Sequence, residues 1–379
     1  MLDTHLDPIN VRDVVSVNIL TSHPHVDRQS GATIFLATGA GHYCFVEFPQ
    51  GIESGRIVAR VPCTRLLTPS YCHSFGMTER FFVLIEQPLV VSIKKAVVNQ
   101  WIRQQEPSSA ILSWRPELGT RVHLVSRGGK KQSLRPTVYA APPLFFFHTI
   151  NAFEKEGHVV LDVIVYEDAS SLDAFVTSEL RAAERDAAVA ERLRCSMRCR
   201  PTRLVLPILE SGVRREKRMQ GRVGENLVRL LDCKATALLQ KDGSVHLTPE
   251  WLTPEWETSL GELPAIDYER RNGREYRFFY GMCYSPASEG EKLQSSWQHG
   301  LMRCDTWTGD VVRWSEAGFF PSEAVFVARP TSGSEAARDC NGNLRSCNDK
   351  SPAASDEEDG VLLSLVLSLE DERQGFLLH

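Results

Sequence analysis

The sequence predicts an all-β domain carrying one helical insertion, and three observations support this. Short runs rich in β-branched and aromatic residues recur along all 379 residues, turn residues separate most of them, and no alternating strand–helix units are visible. In order the runs are ATIFLAT, GRIVARVP, RFFVLIEQ, RVHLVSR, HVVLDVIVY, TRLVLPIL, ATALLQKDGSVHL, REYRFFYG, GDVVRWSE, AVFVARP and GVLLSLVLSL. Each has the composition of a strand. Only SSLDAFVTSELRAAERDAAVAERLRC breaks the texture. Its Ala, Leu, Glu and Arg content and periodic apolar positions predict helix over about 169–199, an insertion laid on the sheet framework.

Composition removes several function classes. The net charge is −5 and the basic residues are dispersed, so no footprint for nucleic acid is present. No long uncharged apolar stretch exists, and MLDTHLDPINVRD has neither signal-peptide nor transit-peptide character, so a cytoplasmic, reducing setting is expected. The 10 cysteines have irregular spacing without a CxxC pair. Cys195 and Cys199 lie one helical turn apart, but no second pair at zinc spacing accompanies them.

Two stretches stand apart. Residues 331–359, TSGSEAARDCNGNLRSCNDKSPAASDEED, are polar, small and acidic, and are expected to form a disordered surface loop. Residues 89–102, LVVSIKKAVVNQWI, are apolar with a central Lys pair and Trp101 near the end. That composition suits a patch dipping into a membrane interface, and suits equally a buried strand followed by a helix.

Three histidines share one local setting. His23 in TSHPHVD, His73 in PSYCHSFGMTERFFVLIEQPL and His148 in APPLFFFHTINAFEKEGHVVLDV each lie at the edge of a strand-forming segment. They are about fifty and about seventy-five residues apart, near one blade of a β-propeller and one blade with a long insertion. Histidines placed once per blade on channel-lining strands would converge on the axis as a metal-binding ring.

TSHPHVD, HSFGMTERFFVLIEQPL, FFFHTINAFEKEGHVVLDV, GELPAIDYERRNGREYRFFYG, FFPSEAVFVARP and EEDGVLLSLVLS follow one another as the signature stretches of one family do. In these words the chain closely resembles the carotenoid cleavage oxygenases. The resemblance is nearest to the animal branch containing the β-carotene oxygenases and the retinal pigment epithelium retinoid isomerase. It runs over essentially the whole chain apart from the helical insertion and the acidic loop.

The resemblance implies a seven-bladed β-propeller with Fe(II) on its axis, held by four histidines without a directly ligating carboxylate. His23, His73 and His148 match three of the ligands, with His25 a neighbour. Neutral imidazole suits iron in this oxidation state. Glu262 in GELPAID and Glu323 in PSEAVFV match glutamates that accept a hydrogen bond from the far nitrogen of a ligand ring, fixing its tautomer and raising its basicity. The implied reaction is O2-dependent cleavage of a C=C bond of a carotenoid or apocarotenoid to two carbonyl products such as retinal, with placement and metal chemistry as the catalytic elements. The Phe run at 145–147 either lines the tunnel or is plain core.

The chain departs from the pattern at both ends. It stops at QGFLLH, ahead of the HG-aromatic word that carries the family's fourth ligand, so His379 is not that ligand. It begins just ahead of the first ligand, so the opening blades and a further glutamate are missing, and the chain is expected to be a fragment of an active oxygenase. A true short product would be poorly folded or inactive, because an opened propeller exposes unpaired strand edges. Three rival readings accompany the main one. They are a retinyl-ester isomerohydrolase, an inactive propeller that binds a carotenoid or protein partner, and a zinc hydrolase on the same three histidines, disfavoured because no carboxylate is positioned to activate water. Peripheral membrane contact through residues 89–102 belongs to the same expectation, and a mitochondrial setting is the alternative to the cytoplasmic one.

Overall fold

The computed structural model describes residues 19–51, 54–98, 111–127, 136–183, 185–209, 222–255, 260–285, 298–316, 318–329, 357–368 and 375–378. Within them the chain is built mainly from antiparallel sheets that follow one another in sequence. The first pairs Ile19–Leu20 and His25–Val26 with Thr33–Gly39, then His42–Phe48 and Arg56–Pro62. The second runs from Gly76–Met77 through Phe81–Glu86 and Thr120–Ser126 to Thr137–Ala141, and is extended by the hairpin Thr236–Leu239 and Val245–Thr248. The third joins Phe145–Lys155, His158–Tyr166, Cys199–Pro207 and Glu250–Trp251, and the fourth joins Leu260–Ala265, Phe278–Ser285, Gln298–Asp305 and Val311–Trp314. The fifth holds Phe319–Pro321, Val325–Ala328, Gly360–Ser368 and Gly375–Leu378.

Apolar content along each strand follows how many faces it covers. His158–Tyr166 is buried at all nine positions, as expected of a near-continuous Val/Ile/Leu run with packing on both sides. Arg56–Pro62, at an edge, alternates toward solvent. Successive sheets stack face to face. Ile34, Leu36 and Phe45 of the first meet Phe82, Leu84 and Val125 of the second. Val122 and Tyr139 of the second share a cluster with Leu161 and Leu204 of the third and Phe279 of the fourth. Tyr280 and Leu301 of the fourth meet Ala324 beside the fifth.

The helical insertion consists of a 3-10 segment Ala169–Phe175 and helices Thr177–Ala183 and Ala187–Ser196, inserted between two paired strands of the third sheet. Asp186 caps the last helix by accepting from the backbone N–H of Ala188 and Val189. Ala190 and Leu193 are the residues of that helix buried against the core. Most of the expected acidic loop lies outside the described residues. Its end does not behave as a solvated tract, because Glu357 is buried and accepts from the N–H groups of Arg277 and Phe278. Two unsatisfied backbone donors at the start of a strand outweigh the cost of burying one carboxylate.

One buried ion pair ties two strands of the third sheet together, and a hydrogen bond links it to the segment that leads into the fourth. Asp162 and Arg203 are directly opposite in register, bonded through both guanidinium nitrogens at 2.8 Å. The hydroxyl of Tyr276 donates to the same carboxylate at 2.8 Å. Asp162 is fully buried, so removing it would leave the Arg203 charge without its counter-charge in the interior. Asp162→Ala is therefore expected to cost roughly 3–5 kcal/mol in urea-induced unfolding and Tyr276→Phe clearly less. Equal losses for the two would remove this account.

Candidate metal centre

Three chain segments carry the imidazoles to one point. His23 lies between the short strands Ile19–Leu20 and His25–Val26, and His73 lies in the extended segment just before Gly76–Met77. His148 sits inside the strand Phe145–Lys155, where the pairing with His158–Tyr166 slips between Phe146 and Thr149. That slip is a bulge, and a bulge re-aims a side chain that a regular strand would send to one face.

The bulge frees backbone groups, and buried side chains take them up. Ser74 donates to the carbonyl of Phe147 at 2.6 Å and accepts from the N–H of Thr149 at 3.0 Å, so the residue after His73 grips both sides of His148. Gln87 donates to the carbonyls of Tyr71 and Phe146 and accepts from the N–H of Phe146. His25 does not join the cluster. Its Nε2 lies 2.9 Å from the carbonyl of Phe75 and its Nδ1 lies 3.0 Å from the hydroxyl of Tyr268, so it latches the His23 segment to the His73 segment.

The rings of His23, His73 and His148 have centroids 4.6, 4.7 and 4.9 Å apart. One nitrogen from each lies within 4.8 Å of the others. The Nε2 atoms of His23 and His73 are 2.9 Å apart. Two nitrogens bound to one divalent metal at about 2.1 Å, at right angles, would be about 3 Å apart. The donor set of three neutral imidazoles fits a borderline transition metal such as Fe(II).

Burial favours the neutral form of two of these rings, His73 and His23. The imidazole of His73 is pushed down to about 3, first by burial and then by the neighbouring His148 and His23 rings. Burial, then His148, also lowers His23, with Glu262 opposing. A neutral ring is the form that offers a lone pair to a metal.

Glu262 reaches this cluster from the fourth sheet. Its Oε2 lies 2.5 Å from Nδ1 of His148 and accepts from the N–H of Leu263 at 3.1 Å. The backbone that delivers it is contorted, with Gly261 at φ 88 and Leu263 at φ 50. A β-carbon at Gly261 would lie 2.9 Å from the Phe279 ring, so glycine is required on both conformational and steric grounds. A leucine held at positive φ stores strain of the kind found at functional sites. Among the described residues, Oε1 of Glu262 is buried without a hydrogen-bond partner.

Glu323 is not brought to the cluster. It is exposed next to the buried Ala324, and among the described residues no hydrogen bond ties its carboxylate to the three imidazoles. Glu323 and Ala324 lie in the connection between the strands Phe319–Pro321 and Val325–Ala328, with Ala324 turned into the core. Phe145, Phe146 and Phe147 are all buried, and the Phe147 ring stands 5.3 Å from that of His73. Sequence reasoning missed Ser74, Gln87 and Tyr71. The hydroxyl of Tyr71 lies 2.8 Å from Nδ1 of His73. None carries a motif signal, since small polar and aromatic residues are ordinary in such segments.

The lowered histidines set a pH dependence in the metal-free chain. On unfolding, His23, His25 and His73 return toward the ordinary value of 6.5, so below it the unfolded chain binds more protons than the folded one. Stability is then complete above about pH 6.5 and declines as pH falls toward the folded-state values. Urea midpoints of the metal-free chain should be lower at about pH 5 than at about pH 7, and a flat profile would contradict the assignment.

Comparison with known proteins places this geometry in context. A family profile described as retinal pigment epithelial membrane protein matches residues 2–378. A mitochondrial carotenoid-cleaving dioxygenase of Mustela putorius furo is 32% identical over 377 residues, covering 96% of this chain and 61% of the relative. A beta,beta-carotene 15,15'-dioxygenase of Mus musculus is 30% identical over 389 residues, covering 98% of this chain and 59% of the relative. Among solved structures, the lignostilbene dioxygenase of Pseudomonas brassicacearum has a TM-score of 0.60 at 18% identity, covering 96% of this chain and 60% of that one. At this identity the likeness concerns the fold. The chain spans about three-fifths of the length of the curated relatives it matches.

Proposed function

Since the chain belongs to the retinal pigment epithelial membrane protein family, we propose that it is part of a non-haem Fe(2+) dioxygenase that cleaves a C=C bond of a carotenoid or apocarotenoid. The observation that carries this reading is the convergence of His23, His73 and His148, one nitrogen each within 4.8 Å, in a chain whose relatives are named for carotenoid cleavage. The stacked sheets are read as blades of a seven-bladed propeller in the whole protein. The overall reaction balances without a further reductant, because both atoms of O2 end in the two carbonyl products.

When bound, the metal supplies the activation of O2, and the residues of the chain supply the rest. His148 is held through its Nδ1–H by Glu262, which keeps its Nε2 lone pair directed into the cluster. Phe147 packs against His73 and against the ring of Phe175, which is 61% exposed on the helical insertion. This aromatic path from surface to imidazoles suits a flat apolar polyene, which it would orient by stacking and shield from water. The purified chain, reconstituted with Fe(2+) without air, is expected to retain close to one iron per chain, and His73→Ala and His148→Ala to lose it. In the full-length protein the same variants should abolish release of aldehyde from a carotenoid substrate. Iron retained equally by all three would sink the reading.

Membrane contact is proposed for the region around the start of residues 89–102. Leu89 and Val90 are buried, whereas Ile93, Leu66 and Leu67 are 40%, 65% and 77% exposed. Ile93 is tied to Leu67 through a backbone hydrogen bond, and Lys94 and Lys95 follow on the helix Ile93–Val98. Apolar side chains flanked by lysines match an interfacial anchor. Trp101 lies outside the described residues, and no described helix is long and apolar enough to cross a membrane. Replacing Leu66, Leu67 and Ile93 with serine is expected to reduce co-sedimentation with anionic liposomes at unchanged iron content, and unaltered sedimentation would rule the patch out.

A further inference from the structure

Residues 63–70 connect the strand Arg56–Pro62 to the segment that carries His73, without a strand or helix of their own. A loop ordinarily takes its shape by turning its apolar side chains into the core. Here Cys63 packs with the core of the first sheet, whereas Leu66 and Leu67 stay exposed. Polar bonds fix the loop instead. Thr64 donates twice to the Glu86 carboxylate, from its backbone N–H at 3.1 Å and from its hydroxyl at 2.5 Å. Nε2 of His123 lies 2.8 Å from the same carboxylate. At the far end the N–H of Ser70 donates to the hydroxyl of Tyr43 at 2.7 Å, and Ser70 Oγ donates to the carbonyl of Gln87 at 2.8 Å. Between them the carbonyls of Leu67 and Pro69 accept from the N–H groups of Ile93 and Val91, at 3.3 and 2.8 Å.

Glu86 and His123 are 2% and 4% exposed, while Thr64 lies at the surface. Nδ1 of His123 is buried without a partner among the described residues, so the bond to Glu86 is the one that ring makes there. Burial alone would raise the Glu86 carboxyl, but the bonds from His123 and Thr64 outweigh it and hold it down to about 2. The carboxylate is therefore charged at neutral pH, and its hydrogen bonds are of the stronger, charge-assisted kind. A charge taken out of water to grip an exposed threonine adds little net stability. What it confers is a fixed loop.

Resting on the membrane-contact reading above, we propose that Thr64, Glu86 and His123 are a foundation that holds Leu66 and Leu67 out toward an anionic lipid surface. Ile93, whose N–H holds the carbonyl of Leu67, is followed directly by the exposed Lys94 and Lys95. Apolar tip and positive charge are thus fixed side by side, the pairing that an anionic interface attracts. Ordering a loose loop at the moment of contact subtracts from affinity, and a loop already held loses less.

The test compares the purified unaltered chain with Thr64→Val and Thr64→Ser, by co-sedimentation with vesicles of phosphatidylcholine and phosphatidylserine. Valine keeps the side-chain shape without the hydroxyl, and serine keeps the hydroxyl. Thr64→Val is expected to bind roughly 10-fold more weakly, with both leucines in place and an unchanged far-ultraviolet spectrum. Hydrogen exchange over residues 65–68 should quicken in Thr64→Val and not in Thr64→Ser, which should also bind as the unaltered chain does. Equal binding or equal exchange in all three chains overturns the inference and leaves the membrane patch standing. Weak binding by both variants overturns it too, because the hydroxyl is then not the determinant. An unaltered chain that does not sediment with the vesicles removes the membrane reading, and this inference with it.

Discussion

Everything in this molecule is arranged around the need to hold three imidazoles with their nitrogens facing one another. Two Nε2 atoms at 2.9 Å cannot both carry a proton, and a charged ring beside two others is disfavoured further by burial. Burial accordingly lowers the values of His73 and His23 below the ordinary imidazole range. Such a cluster gains nothing from hydrophobic packing at its centre. It persists because the backbone around each ring is pinned by groups that face away from the cluster. Ser74 and Gln87 join the His73 segment to the His148 bulge, and His25 joins the His23 segment to Phe75 and Tyr268.

Regular sheet and irregular backbone divide the labour. The strands that meet in long ladders, such as Cys199–Pro207 against His158–Tyr166, form a stiff framework with continuous register. Two departures from regularity stand at the cluster, a bulge at His148 and a contorted passage at Gly261 to Leu263 around Glu262. A two-residue repeat can present a side chain only to one face or the other. Aiming His148 and Glu262 at one another across two sheets needs a break in that repeat, and stacked sheets on either side make the break affordable in stability terms. The Asp162–Arg203–Tyr276 network supplies part of that rigidity one strand away from the bulge.

The proposed site is unsymmetrical in its outer contacts. A carboxylate stands behind one ring, a phenol behind the second and no described group behind the third. The aromatic path through Phe147 to Phe175 reaches the same rings from the side of the helical insertion, joining a surface feature of the fold to its centre.

Composition and short-range pattern alone determined the strand-rich class, the position of the helices near 169–199 and the three histidine words, because these depend on local chemistry that each segment carries with it. That Glu262 stands behind a ligand ring was an expectation drawn from the shared words of the family, and the fold alone pairs it with His148, 114 positions away. Ser74, Gln87 and Tyr71 could not be read in the same way. A serine that satisfies a bulge looks like any other serine until the bulge exists, and a phenol beside a ring nitrogen is defined by orientation alone. Glu323 was read as a ring-orienting carboxylate from its word alone, and here it stands exposed beside the buried Ala324, with no bond to the three imidazoles among the described residues. Only tertiary structure decided these points, because a hydrogen bond requires two groups within about 3 Å, and closeness between distant segments is set by register and stacking.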